Sequence, residues 1–336
     1  MAYDISVVTL NYNTRDLLEA CLTSLREHGG GLRLELIVVD NASGDGSAQM
    51  VRERFPEVRL VESAVNVGCA AGDNLGIELA SAPYVLIFDA DTAARPGAIK
   101  TMLEYMEGRP DVGMVGPRLV SEDGTYQQSC HYFTVFRARY ALLLFLTLIG
   151  SRGWGRFGLY TDPSRDGSRE AEVDWVYTAC ALIRREVFDT VGLLDEYLFF
   201  GGDDLDLCYR AAKAGWKTVY LPQAEIIHHG SRSSVQVFGD LHGLERARTR
   251  AAALDHFQRK HFSAAHSYAM RGMLALGSLA ISLLLRTRLL FVPADRETAM
   301  RAERTWYAAR AYLSSMFAGS SRPGIQAVDR DAKLSR

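Results

Sequence analysis

The chain has almost no net charge: 38 Lys and Arg stand against 40 Asp and Glu, giving −2 over 336 residues. With neither RNP-like aromatic strands nor helix-turn-helix punctuation, it presents no electrostatic footprint for nucleic acid, which is therefore not an expected partner. Cysteine is scarce. Cys21, Cys69, Cys130, Cys180 and Cys208 are scattered, odd in number and form no C-x-x-C pair, which predicts reduced thiols in a reducing compartment rather than a disulfide framework or zinc knuckle. The N-terminus lacks a basic start followed by an apolar run and a cleavage site, so no secretory signal is expected and a cytoplasmic location is. No internal repeat or low-complexity tract occurs. G-x-G-x-x-G is missing after the first apolar run, where "TLNYNTRD" stands instead. That excludes a dinucleotide-binding oxidoreductase, and the missing glycine-rich basic loop argues against a nucleotidyltransferase.

Long apolar runs are also few. "YALLLFLTLIG" from Tyr140 is flanked by Arg139 and Arg152, and "MLALGSLAISLLL" from Met273 is cut off by Arg286 and Arg288. Neither reaches the roughly 18 to 20 residues that span a bilayer, so both are expected as interfacial or core helices. The arginines beside Leu289, Leu290 and Phe291 point to a peripheral seat on anionic lipid headgroups. His256, His261 and His266 are spread around their helix by a five-residue spacing and read as surface residues.

What is present is 48% apolar residues, enough for one sizeable domain plus an extension. The first hundred residues alternate β-branched runs with amphipathic stretches: "ISVVTL", "LLEACLTSLREH", "LELIVVD", "SAQMVRERF", "VRLVE", "AGDNLGIELAS", "YVLIF". This is a βαβαβαβ pattern, whose near-continuous apolar strands predict a parallel sheet covered on both faces, with ligands at the carboxyl ends of the strands. The polar loops "TLNYNTRD", "DNASGDGS", "SAVNVGCAAGDN" and "DADT" all fall at those ends. Residues 1–112 are expected to form a nucleotide-binding half and 113–234 an acceptor half of the same domain. A helical extension is expected over 235–320 and a flexible tail over 321–336.

In "YVLIFDADTAARPG" two aspartates stand one residue apart, Asp89 and Asp91. Residues two apart on a strand point the same way, so a divalent cation with phosphate oxygens would relieve their repulsion. Helix capping from Thr92 is the plain alternative. A haloacid dehalogenase-type phosphatase also begins with aspartates after an apolar strand, but Ala93 stands where its motif wants Thr or Val.

With these loops in place the chain resembles the family 2 glycosyltransferases, and especially their bacterial rhamnosyltransferase-like members. The motifs "VVTLNYN", "VVDNASGDGS", "NVGCAAGDNLGI", "DADT", "VGLLDEYLFFGGDDLDLCYRAAKAGW" and "IIHHGSRSS" carry the resemblance in order over about the first 235 residues. It implies an α/β fold of the GT-A type, Rossmann-like, with a mostly parallel central sheet flanked by helices and a helical C-terminal extension. It implies an inverting, Mg2+- or Mn2+-dependent hexosyltransferase. The donor would be a dTDP- or UDP-linked sugar such as rhamnose, the acceptor a glycan or lipid-linked glycan of cell-surface polysaccharide. A non-catalytic nucleotide-sugar-binding scaffold of the same fold is the alternative, and a homo-oligomer is compatible with either.

Carried over by residue, the resemblance puts Thr9, Asn11 and Asp40 around base and ribose, with Asn66 and Asn74 nearby. Asp91, Asp89 and His228 form the metal and diphosphate site, with His229 the less favoured neighbour. Arg232, Ser233 and Ser234 are offered as phosphate partners. Asp204 falls at the general base, with Asp203 beside it. Asp206 crowds the same helix start, although the helix dipole favours acids there in any protein. Gly68 and Gly72 read as points of close backbone approach to the ligand or as turn formers. Gly201 and Gly202 stand where the family often has aromatic residues, which loosens that loop. Trp175 and Tyr177 wall the acceptor side, by stacking on a sugar or by anchoring the core.

Overall fold

The computed structural model describes residues 3–133, 167–230, 243–291 and 296–317. The apolar run from Tyr140 with Arg139 and Arg152, the residues Arg232, Ser233 and Ser234, and the tail 321–336 lie outside these. The described chain divides into two compact units, one holding residues 3–132 and 167–230, the other the helices from residue 243 onward.

The first unit begins as the hydrophobic pattern demands. Strands β1 (Ile5–Asn11), β2 (Leu34–Asp40), β3 (Arg59–Glu62) and β4 (Tyr84–Phe88) alternate with helices α1 (Arg15–His28), α2 (Ser47–Arg54) and α3 (Cys69–Leu79). β1 pairs in parallel with β2 and β4, and β2 with β3. All five residues of β4 are buried, as expected of a strand covered on both faces. Beyond β4 come the short β5 (Thr92–Ala94), helix α4 (Ala98–Glu107), β6 (Val112–Val120), β7 (Tyr126–Gln127) and β8 (Cys130–His131). Then follow β9 (Ala171–Val173), β10 (Trp175–Val176), β11 (Cys180–Arg184), helices α5 (Arg185–Val191) and α6 (Asp203–Lys213), and β12 (Lys217–His228).

The sheet runs β3-β2-β1-β4-β11-β6-β12-β5, with β7 added on β6 and β9 on β12. β11 runs antiparallel to both β4 and β6, and β12 is parallel to β6. This is the expected mixed, mostly parallel α/β sheet flanked by helices. Its core joins Leu18, Leu22 and Leu25 of α1 to Leu86 and Phe88 of β4, Ile99 and Met102 of α4, and Leu182 of β11. All five cysteines are free thiols.

Register places the site. Asn11 lies opposite Asp40, and Asp40 opposite Glu62, so the strand ends form one level rim. β12 pairs with β5 so that His228 faces Thr92. A histidine far along the chain is thereby set beside the aspartates that follow β4.

The second unit contains α7 (Leu244–His261), α8 (Ala264–Phe291) and α9 (Arg296–Phe317). Its interior is partly polar: Arg271 is fully buried with Nη2 3.0 Å from Asp255 Oδ1, and the Ser267 hydroxyl donates to the same oxygen at 2.6 Å. Removing one charge from a water-excluded pair strands the other, so these residues fix how α7 and α8 pair. His261 packs on Phe257 and His266 stacks on Phe262, at 4.8 and 4.7 Å between ring centres. One expectation changes here. α8 is 28 residues long and holds an 18-residue window of mean hydropathy 1.6, of which 22% is buried, so length and composition would let it cross a membrane. Counting uninterrupted apolar residues stopped at Arg286, whereas a mean over 18 residues tolerates one or two arginines within the helix.

Candidate active site

The turn after β4 is tightly built. The Asp89 N–H donates to Ala179 O at 3.0 Å, while the Thr92 N–H and hydroxyl donate to Asp89 O at 3.0 and 2.6 Å. Thr92 therefore closes the aspartate turn. Asp91 is 2% exposed, and His228 Nε2 lies 3.6 Å from its Oδ1.

The hydrogen bonds of Gln127 settle the histidine tautomer. Gln127 Nε2 donates at 2.8 Å to the His228 carbonyl, which only accepts, so this end of the amide is the NH2. The other end is an oxygen, and it meets His228 Nδ1 at 2.7 Å. Nδ1 therefore carries the hydrogen, and burial holds the imidazole below its ordinary pKa, hence neutral at pH 7. Its Nε2 lone pair is aimed at a carboxylate oxygen, an arrangement that fits a shared cation and matches the usual outer-shell support of a ligating histidine. His229 is turned elsewhere, with Nδ1 2.6 Å from Glu122 Oε1.

Half-buried Asp89 is pushed well above the usual carboxylate range by burial first, then by the charges of Asp91, Asp73, Asp203 and Asp204. Crowded carboxylates of this kind are what a divalent ion relieves. Among the described residues no three His, Cys, Asp or Glu side chains form a ready-made cage. Diphosphate oxygens and water would have to complete the shell, as magnesium commonly allows.

Near Asp89, α6 opens on Asp203 and Asp204 after Gly202, whose φ of +96° suits glycine. Asp203 is buried, and Asp204 Oδ1 accepts the Leu205 N–H at 2.7 Å. Burial first raises the proton affinity of both; the charge of Asp203 then adds to the effect on Asp204, and the charges of Asp206 and Asp195 to that on Asp203. Asp206 has a different task. It is wholly buried and pairs at 2.8 Å with Arg210 Nε, whose Nη1 and Nη2 bond Gly192 O and Leu193 O at 3.1 and 2.7 Å. The crowding read from the sequence is thus split between the cleft and a buried support.

On the rim, Thr9 and Asn11 are 1% and 0% exposed. Asn11 Nδ2 donates to Asp40 Oδ1 at 2.8 Å and to Ser43 Oγ at 3.0 Å, and Asn11 Oδ1 accepts from Thr14 at 2.7 Å. Asp40 Oδ2 accepts the Ser43 N–H at 3.0 Å. A carboxylate offers about four lone-pair directions, so Asp40 keeps capacity for a ligand while Asn11 is largely spent on the loop. Asn66 Oδ1 accepts from Asn41 Nδ2 at 3.0 Å and from the Gly68 N–H at 2.9 Å. The Asn74 amide is used both ways by Leu194, donating to its carbonyl at 2.9 Å and accepting its N–H at 3.0 Å. It clamps the 192–202 loop onto α3.

The glycines meet protein. A Cβ on Gly68 would lie 2.7 Å from Phe199 O, and one on Gly72 would lie 2.4 Å from Leu10 Cδ1. Both permit α3 to sit hard against its neighbours, and Gly68, at φ +88°, also serves as the turn former that was the other sequence reading. Cys69 N–H then donates to Phe199 O at 2.8 Å, so the loop leading into Gly201 and Gly202 is anchored before it turns. Trp175 stacks on His131 at 4.3 Å between ring centres, and Tyr177 meets Trp175 edge-on at 5.4 Å.

Sequence reasoning passed over Gln127, Asn41 and Asp73. Gln127 sits in "TYQQSC", where nothing marks it. Asn41 adjoins Asp40 and could have been suspected; its Oδ1 accepts the Val67 N–H at 2.9 Å and so ties two rim loops together. Asp73 lies inside a quoted motif, and an acid in the body of a buried helix was a signal.

This fold, with its acids gathered at the strand ends, is that of a sugar-transferring enzyme of the GT-A class, as comparison with known proteins shows. Residues 6–192 match the model of Glycosyl transferase family 2, more than half of the chain, and the chain belongs to that family. It is a glycosyltransferase. It is 30% identical over 244 residues to the N-acetylglucosaminyl-diphospho-decaprenol L-rhamnosyltransferase of Mycobacterium tuberculosis, covering 68% of this chain and 77% of that one. To the dTDP-rhamnosyl transferase RfbF of Shigella flexneri it is 23% identical over 236 residues, covering 69% and 71%. The mannosyltransferase PcManGT from Pyrobaculum calidifontis, solved in complex with GDP-Man and Mn2+, aligns with a TM-score of 0.57 at 18% identity over 94% of this chain and 88% of that one. That likeness shows the shared fold.

Proposed function

We propose that the chain moves rhamnose, or a similar hexose, from a dTDP- or UDP-linked donor to a hydroxyl of a lipid-linked glycan, with inversion and with Mg2+ or Mn2+. The observation that carries this is the pair of acid centres on one rim: Asp91 with His228 Nε2 at 3.6 Å, and Asp204 at the start of α6. Similarity to the two rhamnosyltransferases supports the sugar, and similarity to the mycobacterial one supports the lipid diphosphate class of acceptor.

Asp91, Asp89 and His228 would hold the cation, which supplies charge stabilisation to the departing diphosphate. Asp40 accepts hydrogen bonds from base or ribose. Asp204 takes the proton of the acceptor hydroxyl as that oxygen attacks the anomeric carbon from the face opposite the leaving group. The Leu205 N–H keeps its carboxylate in one rotamer, and its raised proton affinity makes it a more effective base near neutral pH. The aromatic group of His131, Trp175 and Tyr177 offers a stacking face for an acceptor sugar.

The test is consumption of dTDP-rhamnose and UDP-hexoses with and without Mn2+, in wild type and Asp204→Asn. The variant should bind nucleoside diphosphate normally and lose at least about a hundredfold in turnover. A wild type that binds donor but neither hydrolyses nor transfers it establishes the scaffold alternative instead.

The second unit supports a peripheral seat on the cytoplasmic face of the membrane. Leu290 and Phe291 are 78% and 81% exposed at the end of α8, close in sequence to Arg286 and Arg288. Apolar side chains with neighbouring arginines fit anionic headgroups. Flotation with phosphatidylglycerol vesicles should exceed that with phosphatidylcholine and fall in a Leu290→Ser, Phe291→Ser double variant; equal flotation in all cases removes this assignment.

A further inference from the structure

Asp73 is a carboxylate that the fold isolates and the proposed chemistry leaves unused. It lies on the second turn of α3 and is 3% exposed, and its Oδ1 has no hydrogen-bond partner among the described residues. Burying such an oxygen is costly unless something donates to it. Its position is rigid. The Gly72 contact with Leu10 presses α3 onto β1, the Asn74 clamp ties it to Leu194, and the Cys69 N–H ties its first turn to Phe199.

Its surroundings are the other aspartates of the candidate site. The charges of Asp203, Asp73, Asp89 and Asp204 all bear on the half-buried Cys69 thiol, in that order of strength. Asp73 is itself pushed up by burial and then by Asp203. Asp73 in turn acts on Asp89, so it lies within electrostatic reach of both the aspartates assigned to the diphosphate end and those assigned to the acceptor end. In a displacement with inversion, leaving oxygen and attacking oxygen lie on opposite sides of the anomeric carbon, so the sugar ring must occupy the space between the two ends. Sugar hydroxyls donate readily to carboxyl oxygens, and a rigid buried acceptor is the kind of group that selects a substrate by one hydroxyl.

We infer that Asp73 is a specificity-determining residue whose buried carboxyl binds a ring hydroxyl of the transferred sugar. The assignment rests on the sugar-transfer reading above and adds to it the residue that reads the sugar.

The test is a cycle between the residue and the substrate. Wild type, Asp73→Asn and Asp73→Ala are compared on whichever of dTDP-rhamnose or UDP-glucose the wild type consumes, and on analogues each lacking one ring hydroxyl. Wild type should lose about tenfold to a hundredfold in kcat/KM for one of the analogues, the effect of one hydrogen bond to a charged group. In Asp73→Ala that penalty should shrink to within about threefold, while the affinity for the nucleoside diphosphate alone is unchanged. Asp73→Asn keeps the shape of the site, and thermal melting confirms folding of both variants. Every penalty persisting in the variants overturns the assignment of Asp73 alone. A wild type that consumes no nucleotide sugar overturns both readings.

Discussion

Gln127→Leu is the most informative single change, because Gln127 acts on the proposed cation site only through His228. The amide makes three contacts: its Nε2 donates to Ser121 Oγ and to His228 O, each at 2.8 Å, and its Oε1 accepts from His228 Nδ1 at 2.7 Å. Leucine fills similar space and makes none of them. Without an acceptor at Nδ1 the imidazole is free to move its hydrogen to Nε2, which then donates to Asp91 in place of offering a lone pair. Loss of an outer-shell partner commonly lowers metal affinity about tenfold to a hundredfold, or about 1.4 to 2.8 kcal/mol. Folding should suffer separately by about 1 to 3 kcal/mol, since a partly buried carbonyl and a hydroxyl lose a donor. The two effects are read apart. Mn2+ titration by calorimetry with saturating nucleoside diphosphate gives the first, and urea unfolding in EDTA gives the second. Gln127→Glu retains the acceptor at Nδ1 and loses the donors, so it should recover metal affinity but not stability. Unchanged Mn2+ affinity in Gln127→Leu, alongside reduced stability, refutes the tautomer argument.

Two further outcomes follow from the charges. Burial raises the proton affinities of Asp73, Asp203 and Asp204 in the folded chain. The folded state therefore binds more protons than the unfolded one above the ordinary carboxylate pKa of about 3.9, and stability falls as pH rises through the folded values. In EDTA, Asp204→Asn should be more stable than wild type by a margin that grows over this window; a margin independent of pH in urea unfolding contradicts the crowded-carboxylate picture. Arg210→Met leaves wholly buried Asp206 without its 2.8 Å partner and frees the carbonyls after α5. It should cost about 3 to 5 kcal/mol, the range for breaking a buried pair, and a loss below about 1 kcal/mol in chemical denaturation would return Asp206 to the cleft.

The alternation of strands and helices through Phe88 was legible because each strand is apolar throughout and each helix apolar on one side. Asp89 and Asp91 stood out for the same reason, as charges ending a buried strand. Asp206 was legible only in part: it does crowd Asp203, as the spacing suggested, but that spacing says nothing of Arg210 reaching the loop after α5. Gly68 and Gly72 were left open between ligand approach and turn formation because a sequence records that a side chain is absent, not which neighbour occupies its place.

The sequence alone determined the elements, the family and the rim, because periodicity and strand-end polarity are local properties set by nearest neighbours along the chain. Only the tertiary structure decided that β12 returns beside β5, bringing His228 to Asp91, that Gln127 fixes the imidazole, and that Asp73 is buried with an unpartnered oxygen near Asp203. Those relations depend on strand order, register and exclusion of water across residues far apart in the chain, and no local pattern encodes them.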